Sequence, residues 1–199
     1  MGERLLICPS WETAENPEHR AVLSIDPGMA FGTGGHDTTR LVLETLERHI
    51  QPGDAFLDVG CGSGILGMLA LKFGAAHSVG TDLDPCAIDA THENMQANGI
   101  DGGQYEVMIG NIIDDPAVQE QVGYEKYDIV AANILADVLV PLTPVIAHQM
   151  KPGGIYITSG IIEGKENLVA HAVEEAGLEL VSIERQGEWA SVVARKKGN

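Results

Sequence analysis

Short apolar runs and helical stretches alternate along most of the chain. Ala55-Phe56-Leu57-Asp58-Val59 is rich in strand formers, and a helical stretch from Ile65 to Phe73 follows at once. The pair recurs as strand 77–81 with helix 85–97, closed by Asn98-Gly99, and as strand 127–132 with helix 136–149, closed by Lys151-Pro152-Gly153-Gly154. It recurs again as strand 155–159 with helix 164–176, while a strand near 104–109 precedes a polar segment, 110–125. Upstream, Asp37 is placed to N-cap a helix running to Ile50, with Leu41, Val42, Leu46, His49 and Ile50 along its inward side and Pro52-Gly53 as its stop. Downstream, Leu178 to Glu184 and Trp189 to Arg195 flank Gln186-Gly187-Glu188; so short a connection predicts a hairpin, with the last strand antiparallel. The alternation as a whole predicts an α/β fold with helices on both faces of a mostly parallel sheet.

The first 26 residues stand apart from this rhythm. Leu5-Leu6-Ile7 and Ala21-Val22-Leu23-Ser24-Ile25 are separated by a polar, proline-containing stretch from Pro9 to Arg20, which predicts a hairpin-like β arm or linker over 1–26 ahead of a domain at 27–199.

Composition narrows the function classes. A formal net charge of −17 disfavours unaided nucleic-acid binding, which needs clustered Lys and Arg, and favours encounter with a basic partner such as a lysine-bearing protein. The one basic cluster, Arg195-Lys196-Lys197, reads as a solvated tail. No apolar run approaches the roughly 18–20 residues of a membrane helix, and no secretory pattern is present, so no membrane partner and a cytoplasmic address are expected. Cys8, Cys61 and Cys86 are odd in number and widely spaced, which fits neither a disulfide framework nor a metal site.

The chemistry concentrates at Asp58-Val59-Gly60-Cys61-Gly62-Ser63-Gly64, with Asp82 at the end of the next apolar run. The glycines occupy a strand-to-helix turn, where backbone meets a ligand and positive φ is tolerated. Asp82 is placed to accept hydrogen bonds from ribose hydroxyls, as in a nucleoside-cofactor site at the carboxyl end of a parallel sheet. The dinucleotide fingerprint G-x-G-x-x-G would put its third glycine where Ile65 stands. The observed D-x-G-x-G-x-G order with a distal acid instead resembles motif one of class I S-adenosylmethionine-dependent methyltransferases. The competing readings are a purely structural turn and an NAD-dependent oxidoreductase.

Further candidates surround this turn. The segment 28–36, with Phe31, Gly32, Thr33 and Gly34, reads as a cradle over a cofactor, the rival being a flexible linker; Thr38 and Thr39 follow on the first helical turn. Asn133 closes strand 127–132, where its amide can orient an attacking nitrogen or hold the cofactor's methionine end; its rival role is helix capping. Asn111 follows the third strand at a place suited to an adenine contact or to a plain turn. His36 suits substrate contact or proton shuttling, or a loop-fixing hydrogen bond, and Asp114-Asp115 reads as a solvated turn.

Together these segments resemble the ribosomal protein L11 methyltransferase family (PrmA). The resemblance runs through Leu6-Ile7-Cys8-Pro9-Ser10-Trp11, Asp26 to Thr39, Asp58 to Gly64, Gly80 to Pro85, Ala132-Asn133-Ile134-Leu135-Ala136, Ser159-Gly160-Ile161 and Glu188-Trp189. It implies a Rossmann-like class I methyltransferase fold with a seven-stranded sheet. It also implies S-adenosyl-L-methionine contacts at Thr39, Gly60, Asp82 and Asn133, and a closing loop at Phe31 to Gly34; Gly62 in the glycine turn and Asn111 complete the expected cofactor-binding set. The reaction it implies is methylation of amino groups, lysine side chains or an N-terminal amine, on a ribosomal protein. Direct in-line transfer is expected, with no metal, no covalent intermediate, no required general base, and Asn133 orienting the amine. Gly35 departs from the family's usual Thr, and almost nothing precedes the Cys8–Trp11 segment where the family carries a substrate-recognition domain. An excised catalytic domain, a short relative with another substrate, and a non-catalytic cofactor-binding module are the corresponding expectations.

Overall fold

The computed structural model describes residues 5–13, 15, 20–26 and 35–198. Among them, β1 (Leu5–Pro9) and β2 (Ala21–Ile25) precede α1 (Asp37–His49), β3 (Ala55–Val59), α2 (Ile65–Phe73), β4 (His77–Asp82), α3 (Pro85–Ala97) and β5 (Tyr105–Ile109). Then follow α4 (Pro116–Val122), β6 (Tyr127–Asn133), α5 (Ala136–Gln149), β7 (Met150–Ile162), α6 (Glu166–Glu175), β8 (Leu178–Gln186) and β9 (Trp189–Lys196).

Seven strands form one sheet in the order β5-β4-β3-β6-β7-β9-β8. Every pair from β5 to β7 is parallel, whereas β9 runs antiparallel to both neighbours. The central strands read as unbroken apolar runs because both faces are covered. Phe56, Ile129, Ile157 and Val193 face a core shared with α1, α2 and α3, while Leu57, Val130, Tyr156 and Val192 face a second core shared with α4, α5 and α6. The strand order reverses between β3 and β6, and a crevice opens there beyond the carboxyl ends of the strands.

Several expectations are corrected. The arm is not a hairpin: β1 and β2 pair in parallel, Leu5 with Ala21 through Pro9 with Ile25. Residues 10–20 supply about the dozen residues that a parallel crossover needs. Leu23 and Ile25 of β2 are buried in the α1–α3 core. The polar segment 110–125 contains α4, whose N-cap is Asp115, accepting from Ala117 N–H at 2.9 Å, with Pro116 in the first turn. Asp115 is thus a helix cap rather than a solvated turn residue. The N-cap of α1 is His36, one residue before the expected Asp37. Finally, β7 starts at Met150 and carries Pro152-Gly153-Gly154 within a shift of register against β6.

No helix among the described residues is long and apolar enough to cross a membrane.

Candidate active site

The strand-to-helix turn between β3 and α2 forms the floor of the crevice. Gly60 and Gly64 have φ of 76° and 75°, which side-chain-bearing residues rarely adopt. Space excludes a side chain there as well: a Cβ at Gly60 would lie 2.7 Å from Ile134, and one at Gly64 would lie 2.5 Å from Thr91. Gly60 and Cys61 N–H groups donate to Thr81 O at 2.8 and 3.1 Å, tying the turn to β4. Gly64 is the N-cap of α2 and offers no side chain to the helix's first amides. Asp58 takes that role from below, its Oδ2 accepting from Gly67 N–H at 3.2 Å and from the Tyr105 hydroxyl at 3.3 Å.

Asp58 is fully buried at the positive end of α2. Burial, with a smaller contribution from the neighbouring Asp82 charge, pushes its carboxyl up to about 7, against the opposing hydrogen bonds from Gly67 and Tyr105. Cys61 sits beside both carboxylates, and its thiol is raised first by burial and then by those charges. A buried, protonated thiol is no nucleophile, so Cys61 is a small filler in the turn.

Asp82 ends β4 and spans the crevice wall. Its Oδ2 accepts from Gly62 N–H at 2.9 Å and its Oδ1 from Asp84 N–H at 3.0 Å. These bonds fix both oxygens and leave each a further lone pair. Opposite, Asn133 ends β6, and its amide donates to Thr39 Oγ1 at 3.4 Å. The Ser159 hydroxyl donates to Thr38 O at 3.0 Å, holding the first turn of α1 against β7.

A cavity of about 740 Å³ fills the crevice, a size usual for small-molecule sites. Six of the expected site residues line it together: Thr39, Gly60, Gly62, Asp82, Asn111 and Asn133. The remaining four, Phe31, Gly32, Thr33 and Gly34, lie outside the described residues. Asn111 lines the wall, but its side chain is engaged in its own turn, donating to Asp114 Oδ2 at 2.9 Å and accepting from Ile113 N–H at 3.0 Å. His36 also lines the cavity, and the loop-fixing role is the one seen: Nδ1 accepts from Thr38 N–H at 3.3 Å, and the ring meets Trp189 edge-on at 5.2 Å.

The apolar lining was not anticipated from sequence. Leu83, Ile112, Leu135, Val138 and Trp189 all border the cavity. Leu83 directly follows Asp82, and an apolar residue there was the one available signal for an apolar wall beside the acid. The Asp58–Tyr105 contact was equally unanticipated, because its partners lie 47 residues apart. Among the described residues, no group of three or more His, Cys, Asp or Glu is placed to hold a metal ion.

Comparison with known proteins agrees with this fold. A sequence profile of the ribosomal protein L11 methyltransferase family (PrmA) matches residues 1–197. A ribosomal protein L11 methyltransferase of Lachnospira eligens is 57% identical over 195 residues, covering 97% of this chain and 61% of that protein. A counterpart in Agathobacter rectalis is 50% identical over 197 residues, with 96% and 61% covered. The chain therefore spans 61% of the length of both relatives. A crystal structure of ribosomal protein L11 methylase from Lactobacillus delbrueckii subsp. bulgaricus superposes with a TM-score of 0.85 at 30% identity, covering 98% of this chain and 96% of that one.

Proposed function

The chain belongs to the ribosomal protein L11 methyltransferase family, and on that premise we propose that it transfers methyl groups from S-adenosylmethionine to amino groups of ribosomal protein L11. The observation that carries this reading is the cavity at the β3–β6 reversal, floored by the glycine turn and walled by the doubly anchored Asp82. Asp82 suits ribose hydroxyls, with Leu83 and Ile112 beside it for the adenine ring. The turn at Gly60 and Gly62 brings backbone to the cavity, with no room for a Cβ at Gly60, and the N-terminus of α2 suits a carboxylate. Such residues fit an adenosyl amino acid. Phosphate recognition by G-x-G-x-x-G would need glycine at Ile65, which is buried there.

When bound, S-adenosylmethionine supplies an electrophilic methyl group on its sulfonium. The chain's own task is to present a neutral amine to it. An ordinary lysine has a pKa of roughly 10.4 and reacts only after losing its proton, which transfer into an apolar mouth favours. Asn133, held from behind by Thr39, orients the amine by accepting its N–H. Proximity in a fixed geometry supplies much of the acceleration. Lysine side chains and an N-terminal amine are the acceptors proposed.

Calorimetric titration with S-adenosylmethionine, S-adenosylhomocysteine and NAD tests the reading. Binding of both adenosyl ligands, on the order of micromolar, is expected. Asp82→Ala is expected to weaken both by more than about tenfold, equivalent to roughly 1.4 kcal/mol. Unchanged affinity would remove Asp82 from the site, and NAD binding alone would overturn the assignment.

A further inference from the structure

The cavity mouth carries an apolar lip that the cofactor reading does not explain. Leu135 is 66% exposed and Val138 is 40% exposed, although both border the cavity. They stand one helical turn apart at the start of α5. Leu135 is the N-cap of that helix, and its side chain makes no capping hydrogen bond. Ser, Thr, Asp or Asn at an N-cap would stabilise the helix, so an exposed leucine there forgoes stability and adds apolar surface to water. Trp189 also borders the cavity, and its cross-strand partner Ile162, outside the cavity lining, is 37% exposed. Leu135 and Val138 at the start of α5 and Trp189 on β9 thus border one cavity together with Asn133 at the end of β6.

Charge flanks the lip on one side. Glu163 and Glu188 are exposed and adjacent, with Glu163 N–H donating to Glu188 O at 2.8 Å. Neither carboxylate has an ion pair among the described residues. Asp137, one residue before Val138, is matched by Lys165 at 2.8 Å, so the unmatched charge lies on the Glu163–Glu188 side.

We infer that this lip is a docking surface for a basic polypeptide segment that carries an apolar residue beside the acceptor amine, with Leu135 as a specificity-determining residue. The inference rests on the proposed methyltransferase reading and deepens it. The apolar neighbour packs between Leu135–Val138 and Ile162–Trp189, while flanking cations meet Glu163 and Glu188. Packing of this kind also excludes water from the amine, which favours the neutral form that the reaction requires.

Two short fluorescein-labelled peptides test this on the full chain saturated with S-adenosylhomocysteine. Each carries one lysine and flanking arginines; leucines adjoin the lysine in one, serines in the other. Fluorescence anisotropy is expected to show the leucine peptide binding about tenfold tighter, and Leu135→Ser is expected to abolish that preference. Glu163→Gln with Glu188→Gln is expected to weaken both peptides and flatten their salt dependence. Equal binding of the two peptides, binding of neither, or an undiminished preference in Leu135→Ser would overturn the inference. So would a dimer of the chain, seen by sedimentation, that Leu135→Ser dissociates while no peptide binds. Calorimetry with S-adenosylhomocysteine in wild type and Leu135→Ser separates the two readings. Loss of adenosyl binding in wild type defeats the methyltransferase proposal, whereas intact binding without peptide preference defeats the lip alone.

Discussion

Asp58 is required by local structure and penalised by its surroundings. Gly64 must be glycine for its positive φ and close approach to Thr91, so the first turn of α2 has no capping side chain of its own. Asp58 reaches up from β3 to Gly67 N–H and pays for that with complete burial, eased by Tyr105. Tyr105 fits only because Gly67 and Gly80 lack side chains: a Cβ at Gly67 would lie 2.3 Å from its ring. The folded-state pKa of Asp58, about 7, stands above its ordinary 3.8, so between those values the folded chain keeps a proton that the unfolded chain has released. Stability from this group is present below the lower value and is lost as pH rises through the upper one, by at most about 1.4 kcal/mol per pH unit. Asp58→Asn keeps an acceptor for Gly67 without the titration. Urea unfolding at several pH values inside that window is expected to show a shallower decline in the variant than in wild type. Parallel profiles would mean that Asp58 is ionised at all of them.

At the scale of elements, α3 does more than cross between strands. Thr91, Asn94 and Asn98 form a stripe along one side of it, and each reads backbone elsewhere. The Thr91 hydroxyl donates to Gly62 O at 3.0 Å. Asn94 accepts from Asp26 N–H at 2.8 Å and donates to Asp26 O at 2.8 Å and Ser63 O at 3.0 Å. Asn98 accepts from Ser24 N–H at 2.9 Å and donates to Ser24 O. One helix face thus joins the glycine turn to the end of β2. Asn94→Ala leaves three backbone groups without their partner and is expected to cost roughly 2–3 kcal/mol. It is also expected to weaken S-adenosylhomocysteine binding severalfold, because the turn loses a support. Asn98→Ala contacts β2 but not the turn, so calorimetry is expected to show near-wild-type affinity there despite a lowered Tm; equal losses of affinity in both variants would refute the division of roles. Little of this stripe is legible in sequence, where Asn94 and Asn98 look like an exposed helix end before Gly99. What was legible is what depends on local pattern: the alternating strands and helices, the antiparallel last strand, and the glycine turn with Asp82. Expectations failed where distant contacts or short elements decide. Helix α4 is brief and opens on acids and a proline, so it resembled a loop, and β1 pairs with β2 through a crossover that apolar runs alone cannot distinguish from a hairpin.

For the whole molecule, the excess of negative charge governs both stability and encounter. Arg48–Glu184, Lys151–Asp128, Lys165–Asp137 and Arg185–Glu166 are matched at 2.6–2.8 Å. Yet with 12 Lys and Arg against 29 Asp and Glu, pairing every cation would still leave the net charge at −17. Mutual repulsion of those carboxylates destabilises the compact state, and their summed field attracts a basic partner from a distance. Salt screens both effects, over a Debye length that falls to about 8 Å at physiological ionic strength. The two observables are therefore expected to move in opposite senses as salt rises near neutral pH. Tm rises because repulsion relaxes, while kcat/KM toward a basic protein acceptor falls by about tenfold or more through slower association. S-adenosylhomocysteine has no net charge at this pH, so its Kd is expected to change less than about twofold over the same range. Calorimetry, thermal melts and methyl-transfer kinetics across one salt series measure all three quantities. A salt-independent kcat/KM alongside a rising Tm would confine the charge to a solubility role, and would assign acceptor recognition to the apolar lip without long-range steering.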